Sequence, residues 1–132
     1  MFLNELCGLE ENQSPLELPE LPDPIPSANE ILIRVSACGV CHTELDEIEG
    51  RTPPPRLPIV LGHKVVGRIE ATGSEGNTFR IGDRVGIAWI FSVCGTCKFC
   101  LAGSENLCPD FKAAGRDANG GYAQYESGRR PV

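Results

Sequence analysis

The chain has 132 residues, 41% of them apolar, and 12 Lys and Arg against 18 Asp and Glu leave a net charge of −6. That length suits one domain with a real core, and that charge excludes a phosphate-backbone binder, whose affinity comes from clustered basic residues. No apolar run approaches the ~20 residues of a membrane span, which excludes an integral membrane protein of the helical kind.

Met1-Phe2-Leu3-Asn4-Glu5 lacks the basic and apolar parts of a secretory signal, so a cytoplasmic, reducing setting is expected. Residues 1–27 carry Pro15, Pro19, Pro22, Pro24 and Pro26, which exclude a helix and predict extended chain. Leu16, Leu18 and Leu21 between them predict that this segment lies along a core. Ile31-Leu32-Ile33-Arg34-Val35 predicts a strand, Ala37 to Thr43 a turn, and Glu44 to Ile48 one or two helical turns with Thr43 as cap. Pro53-Pro54-Pro55 makes 51–58 irregular. Ile59-Val60-Leu61 leads into Gly62-His63-Lys64. Val65 to Ala71, Arg84 to Trp89 and Tyr122 to Tyr125 predict further strands, with turns at Gly82-Asp83 and Gly120-Gly121. Short strands with glycine turns and little helical periodicity predict a mainly β fold, a small and partly open barrel.

Seven cysteines in a reducing setting read as metal or redox ligands before they read as disulfides. Cys94, Cys97, Cys100 and Cys108 are spaced C-x2-C-x2-C-x7-C, and Gly95 relieves the tight backbone between the first two. Four thiolates so close suit a closed tetrahedral zinc site, with no open position and therefore a structural role. An iron–sulfur cluster also takes four cysteines, but the bacterial ferredoxin run has a last gap of three. Free or bridged thiols are the remaining alternative.

Cys41 and His63 form a second constellation. From spacing alone they read as a buried thiol and a satisfied core histidine. Two details favour a site: His63 follows Gly62 at a strand end, and Cys41 stands at a helix start, where a thiolate is favoured. Cys38-Gly39-Val40-Cys41-His42 also matches the haem c attachment pattern, but attachment follows export and Met1 is the only methionine. A thioredoxin-like reading lacks its βαβ setting.

Five ordered motifs now stand together: Cys38-Gly39-Val40-Cys41-His42-Thr43-Glu44-Leu45-Asp46, Leu61-Gly62-His63, Gly82-Asp83-Arg84-Val85, the four-cysteine loop, and Gly120-Gly121-Tyr122-Ala123. With them the chain resembles the N-terminal catalytic domain of the zinc-dependent medium-chain alcohol dehydrogenases, from about Leu16 to Tyr125. The resemblance implies a GroES-like, partly open β-barrel over residues 1–132, with short helices, a zinc lobe at 94–108 and no Rossmann domain. It implies Cys41 and His63 as two ligands of a catalytic zinc, and Cys94, Cys97, Cys100 and Cys108 as ligands of a structural zinc. Cys38 is then not a ligand. Thr43 takes the proton of the substrate alcohol, and His42, near the cofactor pyrophosphate, passes it on. Asp46 stands where many members carry a further relay histidine. A small alcohol or aldehyde substrate and NAD or NADP follow for the full-length enzyme, with no nucleic-acid or membrane partner; a homo-oligomer is compatible with the pattern.

Two departures stand out. Lys64 follows His63 where the family usually has Glu, and an ammonium there weakens cation binding if it faces the site. No G-x-G-x-x-G occurs, so the dinucleotide fingerprint is missing, as is the third catalytic zinc ligand. The tail Ser127-Gly128-Arg129-Arg130-Pro131-Val132 does not resemble the family's continuation. The expectation is a truncated product or an excised domain that is inactive alone. The alternative is a stand-alone zinc-binding module with a structural or interaction role.

Overall fold

A computed structural model describes residues 1–75 and 79–128, so the final four residues of the tail lie outside it. In chain order its elements are β1 (Phe2–Leu3), β2 (Leu16–Glu17), β3 (Ile31–Cys38), α1 (His42–Ile48), β4 (Ile59–Val60), β5 (Lys64–Thr72), β6 (Arg84–Ala88), β7 (Ile90–Ser92), α2 (Lys98–Leu101), a 3-10 turn (Glu105–Leu107), β8 (Lys112–Ala113) and β9 (Tyr125–Gly128). The strands form three small sheets ordered β2-β1-β4, β6-β5-β3-β9 and β7-β8. Every paired strand is antiparallel. The mainly β, partly open architecture is therefore the expected one, and no βαβ unit occurs among the described residues.

The four-stranded sheet is built by alternation. Val65, Gly67 and Ile69 of β5 face inward, and Lys64, Val66, Arg68 and Glu70 face out. Ile31 and Ile33 of β3 and Val85 and Ile87 of β6 meet the inward row, with Ala114 closing the cluster. Each such side chain removed from water contributes roughly 1.5–3 kcal/mol. The β3–β5 register slips between Leu32 and Ile33 and again between Val35 and Ala37. Such slips bend a strand, here just before the chain turns into α1. A second cluster of Leu3, Ile48, Ile59 and Leu61, joined by Cys7, Leu9, Leu16 and Tyr122, ties α1 to β1 and β4.

Several local expectations shift. Only Leu16 of the three leucines in the proline-rich arm packs; Leu18 is 83% and Leu21 47% exposed, because chain without strand partners splays its side chains outward. Helix α1 starts at His42 with Cys41, not Thr43, as its N-cap. The strand from Arg84 stops at Ala88 because Trp89 has φ 31°, in the left-handed region that ends a strand. The last strand is Tyr125–Gly128 rather than 122–125. Residues 120–122 instead run beside 60–62, where Tyr122 N–H donates to Leu61 O at 3.0 Å. The cysteine lobe is partly helical through α2 and the 3-10 turn. No helix among the described residues is long and apolar enough to cross a membrane.

One buried carboxyl makes stability depend on pH. Glu126 on β9 is 2% exposed, and neither carboxylate oxygen has a hydrogen-bond partner. Burial pushes its carboxyl up to about 8. The folded chain then binds a proton that the unfolded chain has lost, so this contribution is whole below the ordinary carboxylate range and disappears as pH rises to about 8. Glu126→Gln is expected to leave stability near pH 5 unchanged and to raise it near pH 9 by roughly 1–3 kcal/mol. Denaturant melts of the two proteins at both pH values check this; an equal difference at both would contradict it.

Candidate metal centres

The cysteine lobe follows from α2 and the turns around it. Cys97 caps α2 and Cys100 lies within it, so the two sulfurs share one face of a single turn. Cys94 precedes the helix, and Cys108 follows the 3-10 turn and is 5% exposed. The Cys94 and Cys100 sulfurs are 3.9 Å apart, Cys97 and Cys100 3.6 Å, and Cys94 and Cys108 3.6 Å. A tetrahedron with ~2.3 Å zinc–sulfur bonds has edges of about 3.8 Å, so the cage fits that ion. None of the four is in a disulfide. Backbone N–H groups of Thr96 and Cys97 reach the Cys94 sulfur at 3.5 and 3.3 Å. They lower its thiol to about 6. Desolvation first, then the neighbouring sulfurs, push Cys100 up to about 12. Thiols packed this tightly cannot all ionise without a cation among them, which is the donor chemistry of a metal cage. Among the described residues this is the one group of three or more His, Cys, Asp or Glu donors close enough to share an ion.

The second constellation gathers at the start of α1. Glu44 is 2% exposed and anchors it from two sides. Its Oε2 accepts the Cys41 backbone N–H at 2.7 Å, half of a capping box. Its Oε1 lies 2.8 Å from His63 Nδ1. The ring N–H is not aligned with that oxygen, so the contact is electrostatic rather than a well-directed hydrogen bond. With Nδ1 engaged, the His63 ring has Nε2 left for a ligand. Burial, the largest effect, lowers the His63 pKa, so the ring is neutral at neutral pH, as a metal ligand must be. The Cys41 thiol is lowered chiefly by hydrogen bonds from the Thr43 backbone and side chain, with Lys64 adding. Thr43 Oγ1 lies 3.7 Å from the Cys41 sulfur.

His63 itself is held by backbone. Gly62 before it has φ 99°, a left-handed conformation that favours glycine. Gly121 N–H donates to Gly62 O at 2.9 Å, and Trp89 N–H donates to His63 O at 2.9 Å. The Trp89 ring lies 6.4 Å from the His63 ring and 5.2 Å from Phe111.

The structure thus brings Cys41 and Thr43 together and connects them to His63 through Glu44. His42 and Asp46 lie one turn apart on α1, with Nε2 and Oδ1 at 3.7 Å. His42 is largely exposed, and Asp46 also pairs with Arg51. Among the described residues no hydrogen bond joins Thr43 to His42. Sequence reasoning missed Glu44 and Trp89. Glu44 stands three residues after the N-cap, the capping-box register, and that was its one available signal. Trp89 had none, because its backbone strain and its neighbours are set by distant strands.

An open antiparallel barrel carrying a four-cysteine cluster, with a buried His–Glu pair beside a helix-capping cysteine, defines a β domain with two candidate metal centres. Residues 27–128 match the family model described as the alcohol dehydrogenase GroES-like domain, and the chain belongs to that family. An alcohol dehydrogenase of Geobacillus stearothermophilus is 45% identical over 118 residues, 89% of this chain and 35% of that protein. The crystal structure of an NAD-dependent alcohol dehydrogenase superposes with a TM-score of 0.83 at 33% identity, over 96% of this chain and 36% of that one. A cobalt- and zinc-bound thermostable alcohol dehydrogenase from Pyrobaculum aerophilum gives a TM-score of 0.82 at 29% identity, over 94% of this chain and 37% of that one. The chain spans about a third of the length of the relatives it matches.

Proposed function

We propose that this chain is the N-terminal, metal-holding domain of a zinc-dependent alcohol dehydrogenase that interconverts small alcohols and aldehydes with NAD or NADP. In this reading residues 1–132 form one GroES-like unit. Cys94, Cys97, Cys100 and Cys108 hold a structural zinc, and Cys41 and His63 supply two ligands to a catalytic one. The observation that carries it is Glu44, which accepts the Cys41 backbone N–H and lies 2.8 Å from the His63 ring, so that it links two donors from different elements. The relatives' names supply the reaction class.

A zinc ion with an open position supplies a Lewis acid for an alcohol or carbonyl oxygen. This chain's own residues do the rest of the local work. Glu44 lies against the His63 ring and helps to orient it. The Thr43 hydroxyl, beside Cys41, is the group positioned to accept and pass the substrate proton. His42 and Asp46, one turn apart near the surface, are the next groups such a path would use, and no hydrogen bond among the described residues joins them to Thr43. Trp89, with Phe111 packed edge-on against it, lies beside the His63 ring. Hydride transfer belongs to the nicotinamide cofactor. With no dinucleotide fingerprint in its sequence, the isolated chain is expected to be inactive.

Two variants test the division of labour. Cys41→Ser is expected to abolish zinc binding at the second site while changing unfolding free energy by less than about 1 kcal/mol. Metal titration followed by thermal melting checks both. A destabilisation equal to that of a cysteine-lobe variant would overturn the structural and catalytic assignment. NAD-dependent alcohol turnover by the purified chain, after host enzyme has been removed, would overturn the expected inactivity of the isolated chain.

A further inference from the structure

Strand β9 lies at the edge of its sheet, with β3 on one side and no strand on the other among the described residues. The phase of that pairing is fixed. Val35 N–H donates to Gln124 O at 2.9 Å, and Ile33 stands opposite Glu126. Backbone groups alternate sides along an antiparallel strand, so Gln124, Glu126 and Gly128 face β3. Tyr125 and Ser127 therefore turn their N–H and C=O groups away from it, and among the described residues nothing else bonds them. A groove of about 730 Å³ runs along this free edge. Residues 124–127 line it, no residue of β3 does, and its far wall is the proline-rich arm from Leu18 to Pro24.

That arm is a poor strand and leaves the edge open. Pro19, Pro22, Pro24 and Pro26 lack the N–H that a ladder needs, and each holds the residue before it extended. Of residues 18–26, Glu20 alone escapes both restrictions, so the wall is stiff. Phe2, Leu18, Leu21 and Val60 make the groove apolar, and the carboxylates of Glu20 and Asp23 are exposed on its wall. No Lys or Arg side chain lines it, and the one cation there, the Met1 ammonium, is engaged by Tyr122 O.

We propose that this groove is a docking site for an extended, basic peptide segment of a second protein, which adds to β9 as a further strand. Main-chain hydrogen bonds at Tyr125 and Ser127 supply the attachment, and side chains select the partner. An added strand lies ~4.8 Å from β9, between it and the arm. The volume holds one such segment and excludes a folded domain. Apolar side chains pack on Leu18 and Leu21, and basic ones meet Glu20 and Asp23, which repel an acidic segment.

The test uses the full chain and a short fluorescein-labelled peptide of alternating lysine and valine. Fluorescence anisotropy measures binding, and amide hydrogen exchange locates it. Saturable binding is expected, at least ~10-fold weaker in the Glu20→Lys, Asp23→Lys double variant. A peptide with glutamate in place of lysine, and one N-methylated along its backbone, should not bind. Exchange at Tyr125 and Ser127 should slow at least ~10-fold, while Glu126, already paired with β3, changes little. Both substituted residues are exposed, so the double variant should melt like wild type. Absence of saturable binding, or equal affinity for the N-methylated peptide, would overturn strand addition, as would unprotected Tyr125 and Ser127 amides. Equal affinity in the double variant would overturn the basic partner. Sedimentation of the chain alone covers the remaining occupant: self-association that protects the same two amides would assign the groove to a second copy and overturn the proposal.

Discussion

Cys97→Ser is expected to lower the stability of the domain by on the order of 4 kcal/mol or more, with a melting temperature down roughly 15 °C. The reason lies in what the lobe lacks. Neither α2 nor the 3-10 turn has a buried residue. Leu101 is 77% and Leu107 56% exposed, and of the four cysteines only Cys108 is buried. No apolar core therefore orders 94–108, and the metal must serve as one. Removing a ligand from a closed cage leaves three sulfurs whose mutual repulsion then opposes folding. Thermal melts with and without a chelator check this. Wild type in chelator should melt like the variant, and a variant that melts like zinc-loaded wild type would contradict the account.

Gly120→Ala is expected to be as damaging, for a different reason. A Cβ at Gly120 would stand 1.9 Å from Gly62 O and 2.8 Å from Gly115 Cα, both backbone atoms that cannot rotate away. Three segments cross there, and Gly120 N–H donates to Val60 O at 2.8 Å. The crossing must open, and His63, next to Gly62, moves with it. A loss of roughly 3 kcal/mol or more is expected, in the range of severe core overpacking. The fall in stability should come with weaker zinc binding at the second site and unchanged binding at the cysteine cage. Denaturant melts and zinc titration read the two effects separately. An unfolding curve superimposable on wild type would contradict the geometry.

What the sequence made legible was set by short-range chemistry. Four cysteines within a few turns can meet only in that loop, so their spacing foretold the cage. The strand predicted over Val65–Ala71 is β5, whose alternation of buried and exposed residues suits a half-buried strand. What stayed hidden depended on distant partners. Glu44 looks like any acidic residue of a helix's first turn until His63, from another element, arrives beside it. Gly120 and Gly62 belong to segments far apart in the chain, and nothing local to either announces the crossing. The proline-rich arm misled because its leucines suggest burial, whereas the backbone they hang on has no strand partner to turn Leu18 and Leu21 inward. Lys64 was visible in the sequence, and the structure shows its side chain exposed with its stem beside Gly39.

The central claim is that four reduced cysteines hold one ion and thereby build the lobe. Its most direct measurement is zinc per chain by elemental analysis after dialysis, combined with a thiol count on the unfolded protein. The account predicts about one retained zinc per chain and all 7 cysteines as free thiols. A folded, metal-free chain with fewer than 7 thiols, its cysteines joined in disulfides, would contradict it.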